Sequence, residues 1–370
     1  MTGHKSFRMV AFGCQPGPVA VPGGVESFHV VFVSKGIFMP VLEIGNTQRD
    51  VQAELTKVSR ALAADGATGD TVLALTGGAV PAELGVALDD MIRPPSPAVG
   101  YRVIKSLLAD YGEPGPTPLR WSLVDPRLTP AFDIGLTLIA SRLGRVFGWS
   151  GQQDGRIVHN ILPSPGQEHL QVGASSVVPL AWHTEDAFHP HRADLLLLAC
   201  VRNPDNIGSR LSTISRAAPS AQDLEQLARP VVAVVPDDSY GQDAVGGREL
   251  VGAPTVWRAD DDELRVRYDP SYSRRLTDDA HFDLAYGRLG RRFEDEGFVV
   301  PLDPGDLLII DNDTAVHGRV AFRPRYDGTD RWLKRVLVRS GRQRPASEQN
   351  EHGYDQARVD PYRAPDREGA

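Results

Sequence analysis

The sequence predicts a mainly β protein with flanking helices, an α+β arrangement in which many short strands form a sandwich or barrel. Seven runs of β-type residues, from "RIVHNILP" (156–163) to "RWLKRVLVR" (331–339), are separated by turn residues, as is typical of sandwiches and barrels. Two earlier segments, residues 47–65 and 131–148, place apolar residues at helical spacing. A third helix is predicted between the strands, at about residues 277–296.

The chain is predicted to contain one domain, which covers residues 39–340. Its first part, residues 39–150, is expected to be helical, and residues 151–340 are expected to form the β core. Residues 1–38 are rich in turn-forming residues and are expected to be a disordered or non-native extension. Residues 341–370 are highly charged and contain few aliphatic side chains, so a disordered tail is expected.

The composition excludes several classes of protein. The formal net charge is −8 and the sequence contains no long basic run, so nucleic-acid binding is not expected. No stretch reaches the roughly 18 apolar residues of a membrane-spanning helix, and the N-terminus lacks the pattern of a signal peptide. The two cysteines, Cys14 and Cys200, lie far apart, which suggests free thiols in a reducing compartment. We therefore expect a cytoplasmic protein.

Polar residues that could bind a metal immediately precede an apolar strand, in "LAWHTEDAFHPHRADLLLLACV" (180–201). If "PLAWHTED" is a strand, His183 and Glu185 point to the same face, because strand side chains alternate. A second histidine, His317, lies at the end of another apolar run. Two histidines and one carboxylate form the facial triad of non-haem Fe(II) oxygenases. The alternative is that His183 is a hydrogen-bonded core histidine.

Three further polar residues follow the His-x-Glu pair. Asp186 and His189 are predicted to orient the metal ligands through hydrogen bonds, as residues around metal sites commonly do. His191 is predicted to be a solvated surface residue. None of the three is required as a ligand.

Two arginines strengthen the prediction of an oxygenase. Arg331 and Arg335 are four residues apart in "RWLKR", so they share a face if this segment is a strand. Buried guanidinium groups require carboxylate partners, and a dicarboxylate co-substrate and an amino-acid α-carboxylate would each provide one. Internal pairing with Asp306 or Asp327 is the alternative.

These segments resemble the 2-oxoglutarate-dependent Fe(II) oxygenases of the clavaminate synthase-like (TauD/TfdA-type) group. Within that group the chain is most similar to the free amino-acid hydroxylases, above all the arginine β-hydroxylases. The similarity is densest in "VFGWSGQQDGRIVHNILP", "WHTEDAFHPHRADLLLLACVRNPD" and "GDLLIIDNDTAVHGRVAFRPRYDGTDRWLKR". It implies a double-stranded β-helix (jelly-roll) core, and a free amino acid as the small-molecule substrate.

The resemblance also implies the cofactors and their ligands. Fe(II) would be bound by His183, Glu185 and His317, and 2-oxoglutarate and O2 would be the co-substrates. Arg331 would hold the distal carboxylate of 2-oxoglutarate. Arg335 would contact a carboxylate of the substrate or co-substrate. Related halogenases lack the carboxylate ligand, so its presence here favours hydroxylation, although desaturation and cyclisation stay open.

Other residues are implied to bind the co-substrate or the substrate. Ser209 occupies a position at which a threonine usually assists 2-oxoglutarate. The substrate amino group would be held by Gln152, with Gln153 as the second candidate.

The substrate side chain is less clearly indicated. Arginine hydroxylases clamp the guanidinium with two aspartates separated by one residue, and here Asp269 fits one position whereas Arg267 occupies the other. Asp237 and Asp238 could supply compensating charge from a loop or form a solvated turn. Arginine, lysine, ornithine, glutamine, asparagine and modified amino acids are therefore all open.

Two other classes of protein fit parts of the pattern. A zinc-dependent hydrolase also uses histidine and glutamate ligands, but the chain has no His-Glu-x-x-His motif and the arginine pair would have no role. A non-catalytic β-sandwich binding module is the third possibility.

Overall fold

The computed structural model describes residues 28–33, 37–42, 46–78, 80, 82–241 and 244–363. The strands are β1 (Phe28–Val33), β2 (Ile37–Leu42), β3 (Tyr101–Ile104), β4 (Arg145–Trp149), β5 (His159–Ile161), β6 (Leu180–His183), β7 (Leu195–Arg202), β8 (Ser209–Thr213), β9 (Val232–Val234), β10 (Val256–Arg258), β11 (Leu264–Val266), β12 (Ser273–Arg275), β13 (Phe298–Val300), β14 (Leu307–Asp311), β15 (Ala315–Arg319), β16 (Trp332–Arg339) and β17 (Arg358–Val359). The helices are α1 (Asn46–Ala64), α2 (Val72–Leu75), α3 (Ala82–Met91), α4 (Pro130–Ser141), α5 (Ile214–Ala217), α6 (Ala221–Leu227), α7 (Ala280–Asp295) and α8 (Ala346–Gln349).

Two sheets form the core of the protein. The major sheet has the order β1-β2-β3-β14-β7-β16-β4-β17, with β5 also paired to β16, and the minor sheet has the order β13-β8-β15-β6. Nearly every pairing is antiparallel; among the described strands, β2 and β3 pair in parallel. This arrangement, with helices outside the sheets, confirms the predicted mainly β fold with a jelly-roll core.

The apolar run of β7 is buried on both faces of the major sheet. Leu195, Leu197 and Ala199 pack towards α1 and α4, whereas the alternate residues Leu196 and Leu198 point into the space between the sheets. A continuous apolar strand is expected when both faces are covered. A third cluster joins the outer face of the minor sheet to α7.

The predicted helix at 131–148 is too long. The helix α4 ends at Ser141, and residues 145–149 form β4, which pairs with β16. Gly144 has a φ of 152° between the two elements, and a Cβ there would lie 2.4 Å from the carbonyl oxygen of Arg339. The strand therefore results from tertiary pairing that periodicity does not reveal.

The prediction of a disordered tail is wrong for residues 341–363, which include α8 and β17. The charged side chains of this segment form buried ion pairs with the core. Arg344 pairs with Asp194 at 2.8 Å, and Glu348 pairs with Arg192 at 2.5 Å. High charge here reflects a buried network and not solvation, a difference that composition does not show.

The N-terminal prediction is tested only in part. Residues 28–33 and 37–42 form the strands β1 and β2, which pair with each other, so these residues are not an unstructured extension. Residues 1–27 lie outside the described part of the chain. Within the part that is described, no helix has the length and hydropathy needed to cross a membrane.

Candidate metal and co-substrate site

The register of the minor sheet brings the two candidate histidines together. His183 on β6 lies directly opposite His317 on β15, and their ring centroids are 4.2 Å apart. The pairing shifts by one residue beside His317, where a Cβ on Gly318 would lie 2.5 Å from the carbonyl oxygen of Leu180. Glycine at this position thus allows β6 and β15 to approach each other.

Glu185 completes the cluster two residues after His183. The potential ligand atoms of His183, Glu185 and His317 all lie within 4.8 Å of one another, and Glu185 Oε2 is 3.3 Å from His317 Nε2. Asn312 fixes the Glu185 backbone, because its Oδ1 accepts from the amide nitrogen at 2.7 Å and its Nδ2 donates to the carbonyl at 3.0 Å. Sequence analysis missed Asn312, which lies in the "DND" turn after β14.

The protonation states of these side chains suit a ferrous ion. His183 Nδ1 lies 2.9 Å from the carbonyl oxygen of Ala181, to which it donates when Nε2 is left free for a metal. Burial lowers the pKa of His183, which keeps the ring neutral. Burial would raise the pKa of Glu185, but the charge of Arg335 lowers it below its usual value. A carboxylate and neutral imidazoles are the donor set of the facial triad, so the residues fit Fe(II).

Arg335 pairs with the candidate metal ligand Glu185 through its Nη1. Its Nη2 lies 2.8 Å from Gln152 Oε1 and 2.8 Å from His159 Nδ1. Burial lowers the pKa of His159 to about 3, so this neutral ring accepts from Arg335 and donates from Nε2 to the carbonyl of Arg156. The internal partner of Arg335 is therefore a metal-site carboxylate, which neither sequence alternative had named.

Arg331 is buried and forms no ion pair with an acidic side chain of the described residues. Its Nη2 donates to Ser209 Oγ at 3.2 Å, and its Nε has no described partner. Burial lowers the pKa of Arg331 to about 10. The alternatives do not hold, because Asp306 pairs with Lys105 and Asp327 accepts from Thr329. An uncompensated guanidinium thus faces the cavity.

A cavity of about 500 Å³ lies between the two sheets. Its walls include all of the metal, co-substrate and substrate candidates that the sequence suggested: His183, Glu185, His317, Ser209, Arg331, Arg335, Gln152, Gln153, Asp237, Asp238 and Asp269. The structure therefore gathers residues from distant parts of the chain around one cavity.

The two glutamines differ in their contacts. Besides its bond to Arg335, Gln152 donates weakly from Nε2 to Ser239 Oγ at 3.4 Å. Gln153 bonds the backbone of Asn160 at both ends of its amide, at 2.8 and 3.0 Å. Gln153 therefore fixes the loop before β5, and Gln152 remains the better candidate for contact with a substrate.

Two carboxylates face the cavity without a described cationic partner. Asp269 Oδ1 accepts from the amides of Ser271 and Tyr272 at 3.0 and 3.2 Å, and burial raises its pKa to about 6. Burial also raises the pKa of Asp237, which accepts from the Ser239 amide at 2.8 Å. Both aspartates therefore carry a desolvation cost that a cationic ligand would offset.

The other two charged candidates differ from Asp237 and Asp269. Asp238 also lines the cavity, but it is exposed, and its Oδ2 accepts a hydrogen bond from Tyr272 Oη at 2.9 Å. Arg267 is buried away from the cavity, where its Nε donates to the carbonyl of Ala187 and its Nη1 pairs with Glu351 at 2.7 Å. Arg267 thus adds no repelling charge to the cavity.

Of the three residues that follow the His-x-Glu pair, His191 behaves as predicted, whereas the described side-chain hydrogen bonds of Asp186 and His189 do not reach the candidate metal ligands. Asp186 is buried and accepts from Trp149 Nε1 and Tyr240 Oη, each at 2.7 Å. His189 packs against Trp149 with ring centroids 4.2 Å apart and an interplanar angle of 42°, and it accepts a hydrogen bond from the His191 amide. It makes no described hydrogen bond to the metal ligands. His191 is exposed, as predicted.

Comparisons with known proteins identify the family of the chain. The model of the taurine catabolism dioxygenase TauD, TfdA family matches residues 139–337. An L-ornithine/L-arginine 3-hydroxylase from Catenulispora acidiphila is 37% identical over 294 residues, which cover 72% of this chain and 83% of that protein. An enduracididine beta-hydroxylase from Streptomyces hygroscopicus is 35% identical over 65% of this chain and 76% of its own length.

A solved structure also matches closely. The non-heme iron oxygenase OrfP, in complex with Fe, succinate and (3S)-hydroxy-L-Arg, superposes with a TM-score of 0.69 and 34% identity. The match covers 82% of this chain and 95% of OrfP.

The chain belongs to the TauD, TfdA family. It is an Fe(II)- and 2-oxoglutarate-dependent dioxygenase, and it hydroxylates an amino acid with O2 as the oxidant. Membership in this family sets aside both the zinc-dependent hydrolase and the non-catalytic binding module.

Proposed function

We propose that the enzyme hydroxylates a free amino acid with a cationic side chain, and that arginine is the first candidate. The observation that carries this proposal is the pair Asp237 and Asp269, which face the cavity without a described cation. The guanidinium or ammonium group of a basic amino acid would offset their desolvation cost. The relatives named for ornithine, arginine and enduracididine support the same class of substrate.

We assign the iron to His183, Glu185 and His317, because their ligand atoms converge and Glu185 is held ionised. Arg331 and Ser209 would bind the distal carboxylate of 2-oxoglutarate, because Arg331 has no acidic partner among the described residues. The cytoplasm remains the proposed compartment, since a ferrous cofactor and the free thiol of Cys200 suit reducing conditions.

When bound, Fe(II), 2-oxoglutarate and O2 supply the oxidising chemistry, in which one oxygen atom enters a C–H bond and the other enters succinate as CO2 leaves. The side chains of this protein determine where that chemistry occurs. Asp237 and Asp269 would fix the cationic end of the substrate, and Gln152, which lies beside Arg335 in the same cavity, would contact its amino group. The side chain and the amino group of the substrate would thus both be held, so that one C–H bond of the substrate lies next to the metal site.

The test is a screen of succinate release against the common amino acids and ornithine, with mass spectrometry to detect the gain of one oxygen atom. We expect basic amino acids to give both succinate and a hydroxylated product, and asparagine and glutamine to give little of either. Preferential hydroxylation of a neutral amino acid would overturn the proposed substrate class.

Replacement of Arg331 by lysine is expected to raise the KM for 2-oxoglutarate. Lysine keeps one charge but loses the bidentate contact to a carboxylate. A charged hydrogen bond contributes about 1.5–3 kcal/mol, so the KM should rise roughly 10- to 100-fold. Ser209→Ala should raise it only a few-fold. Equal KM values in Arg331→Lys and the wild type would show that Arg331 does not bind the co-substrate.

The value of kcat/KM for a cationic amino acid is expected to fall as the pH drops below about 6. Burial raises the pKa of Asp269 to about 6, so the carboxylate is protonated and neutral below that pH and charged above it. A neutral group no longer attracts the cation, and kcat/KM reports the ionisation of the free enzyme. The measurement is a pH profile of kcat/KM, in which Asp269→Asn should not show the decrease at low pH. If Asp269→Asn shows the same decrease as the wild type, another group is responsible for it.

A further inference from the structure

Asp186 connects the metal ligand Glu185 to two other parts of the protein. It follows Glu185 directly in the chain and has a φ of 50°, in the left-handed region that non-glycine residues rarely adopt. Its two carboxylate oxygens accept hydrogen bonds, one from Trp149 Nε1 on β4 and one from Tyr240 Oη. These two hydrogen bonds stabilise an unfavourable backbone conformation beside the metal site.

Tyr240 lies at the other end of one of these hydrogen bonds. It ends the short turn Asp238–Tyr240, and the residues Asp237 and Ser239 of the same loop line the cavity. Its ring packs against Phe188 with centroids 4.8 Å apart and an interplanar angle of 75°. Burial raises the pKa of Tyr240 well above its usual value, so the hydroxyl keeps its proton and acts as the donor.

A short path therefore joins the candidate substrate carboxylate to the metal carboxylate. It runs along the loop from Asp237 to Tyr240, across the 2.7 Å hydrogen bond to Asp186, and through one peptide bond to Glu185. The chain before Asp237 is held by the pairing of β9 with β12 and by the Val235 amide, which donates to the carbonyl of Tyr272 at 3.0 Å. After Asp237 the other anchors are weaker or exposed, such as the 3.4 Å contact between Gln152 and Ser239. Tyr240 thus provides the buried anchor on the C-terminal side of Asp237.

We propose that Tyr240 is a positioning residue, whose hydrogen bond to Asp186 holds the substrate-binding loop in place relative to Glu185 and so keeps 2-oxoglutarate consumption coupled to hydroxylation. This inference rests on the proposed contact between Asp237 and the substrate. Without the hydrogen bond, the loop shifts and the target C–H bond is misplaced. A small misplacement slows the reaction at carbon strongly, whereas Tyr240 is not required for conversion of 2-oxoglutarate to succinate.

The experiment compares Tyr240→Phe with the matched control Tyr272→Phe. Each variant removes one hydroxyl group that bonds to an aspartate, and Tyr240→Phe retains the ring that packs on Phe188. Tyr272 Oη bonds to Asp238, which lies in the same turn but is exposed. The quantity measured is the amount of succinate formed per hydroxylated product, with the amino acid that the wild-type enzyme hydroxylates best.

We expect this ratio to rise roughly 5-fold in Tyr240→Phe, the factor that corresponds to one ordinary net hydrogen bond, and to stay at the wild-type value in Tyr272→Phe. The KM for 2-oxoglutarate and the iron content should change in neither variant. A wild-type ratio in Tyr240→Phe overturns the proposal, as does an equal rise in Tyr272→Phe. Tyr240→Phe could also lose iron or thermal stability while its residual activity keeps the wild-type ratio. The hydrogen bond would then have a structural role only, and the proposal would be overturned as well.

The substrate class is tested separately. If the wild-type enzyme hydroxylates a neutral amino acid, the proposed function fails, whereas the ratio measured with that amino acid still decides the role of Tyr240.

Discussion

Replacement of His183 by alanine is expected to abolish hydroxylation and iron binding. His183 offers one of three potential ligand groups that converge within 4.8 Å, and no other histidine of the described residues joins this cluster. Two remaining ligands would hold Fe(II) weakly, because affinity depends on the number and geometry of the ligands. We expect activity to fall at least about 1000-fold, which corresponds to roughly 4 kcal/mol of barrier.

The measurement is iron content per protein together with succinate release at saturating 2-oxoglutarate. His191→Ala is the matched control, because His191 lies in the same histidine-rich segment but is exposed; it should retain iron and activity. Normal iron content in His183→Ala would contradict the assignment of this residue as a ligand.

The double substitution Asp237→Asn and Asp269→Asn is expected to have the second largest effect. Both carboxylates face the cavity without a described cation, and the amides are of similar size but neutral. Loss of one partner of a buried charge pair costs about 2–5 kcal/mol. The kcat/KM for a cationic amino acid should therefore fall by about 30-fold to several thousand-fold.

The KM for 2-oxoglutarate provides the internal control for this variant, since Arg331 is unchanged and the value should stay the same. Asp238→Asn should resemble the wild type, because Asp238 is exposed and bonds to Tyr272. If the double variant hydroxylates arginine as well as the wild type does, the two aspartates do not bind the substrate side chain.

The sequence predicted the candidate residues of the site, but strand alternation explains their placement only in part. β6 ends at His183 and β16 begins at Trp332, so Glu185 and Arg331 lie just outside the strands that were expected to contain them. The cavity is nevertheless lined by His183, Glu185, Arg331 and Arg335. The apolar run of β7 indicated a strand, and the structure shows that both of its faces are covered. These features are local, so one sequence is enough to predict them.

The partners of these residues could not be predicted, because they depend on contacts between distant segments. Arg335 pairs with Glu185, 150 positions away in the chain, and Asn312 fixes a backbone 127 positions away. Arg267 occupies the position of the second clamp aspartate, and whether it faces the cavity could not be predicted, because it lies beyond the end of β11, where alternation no longer fixes its direction. Its partner Glu351 belongs to the segment that was predicted to be disordered.

Charge composition was the least informative signal. Arg342, Arg344 and Glu348 in the C-terminal segment pair with buried residues of the core. A solvated tail could have the same amino-acid composition. Whether a charged side chain is buried depends on the presence of an opposite charge in the fold, which neither periodicity nor composition records.

The most direct test of the account is iron-edge anomalous diffraction from crystals grown without oxygen in the presence of Fe(II) and 2-oxoglutarate. We predict one strong peak in the cavity, bounded by the Nε2 atoms of His183 and His317 and by the Glu185 carboxylate, with the distal carboxylate of 2-oxoglutarate against Arg331. A peak elsewhere, or 2-oxoglutarate directed away from Arg331, would contradict the proposed site.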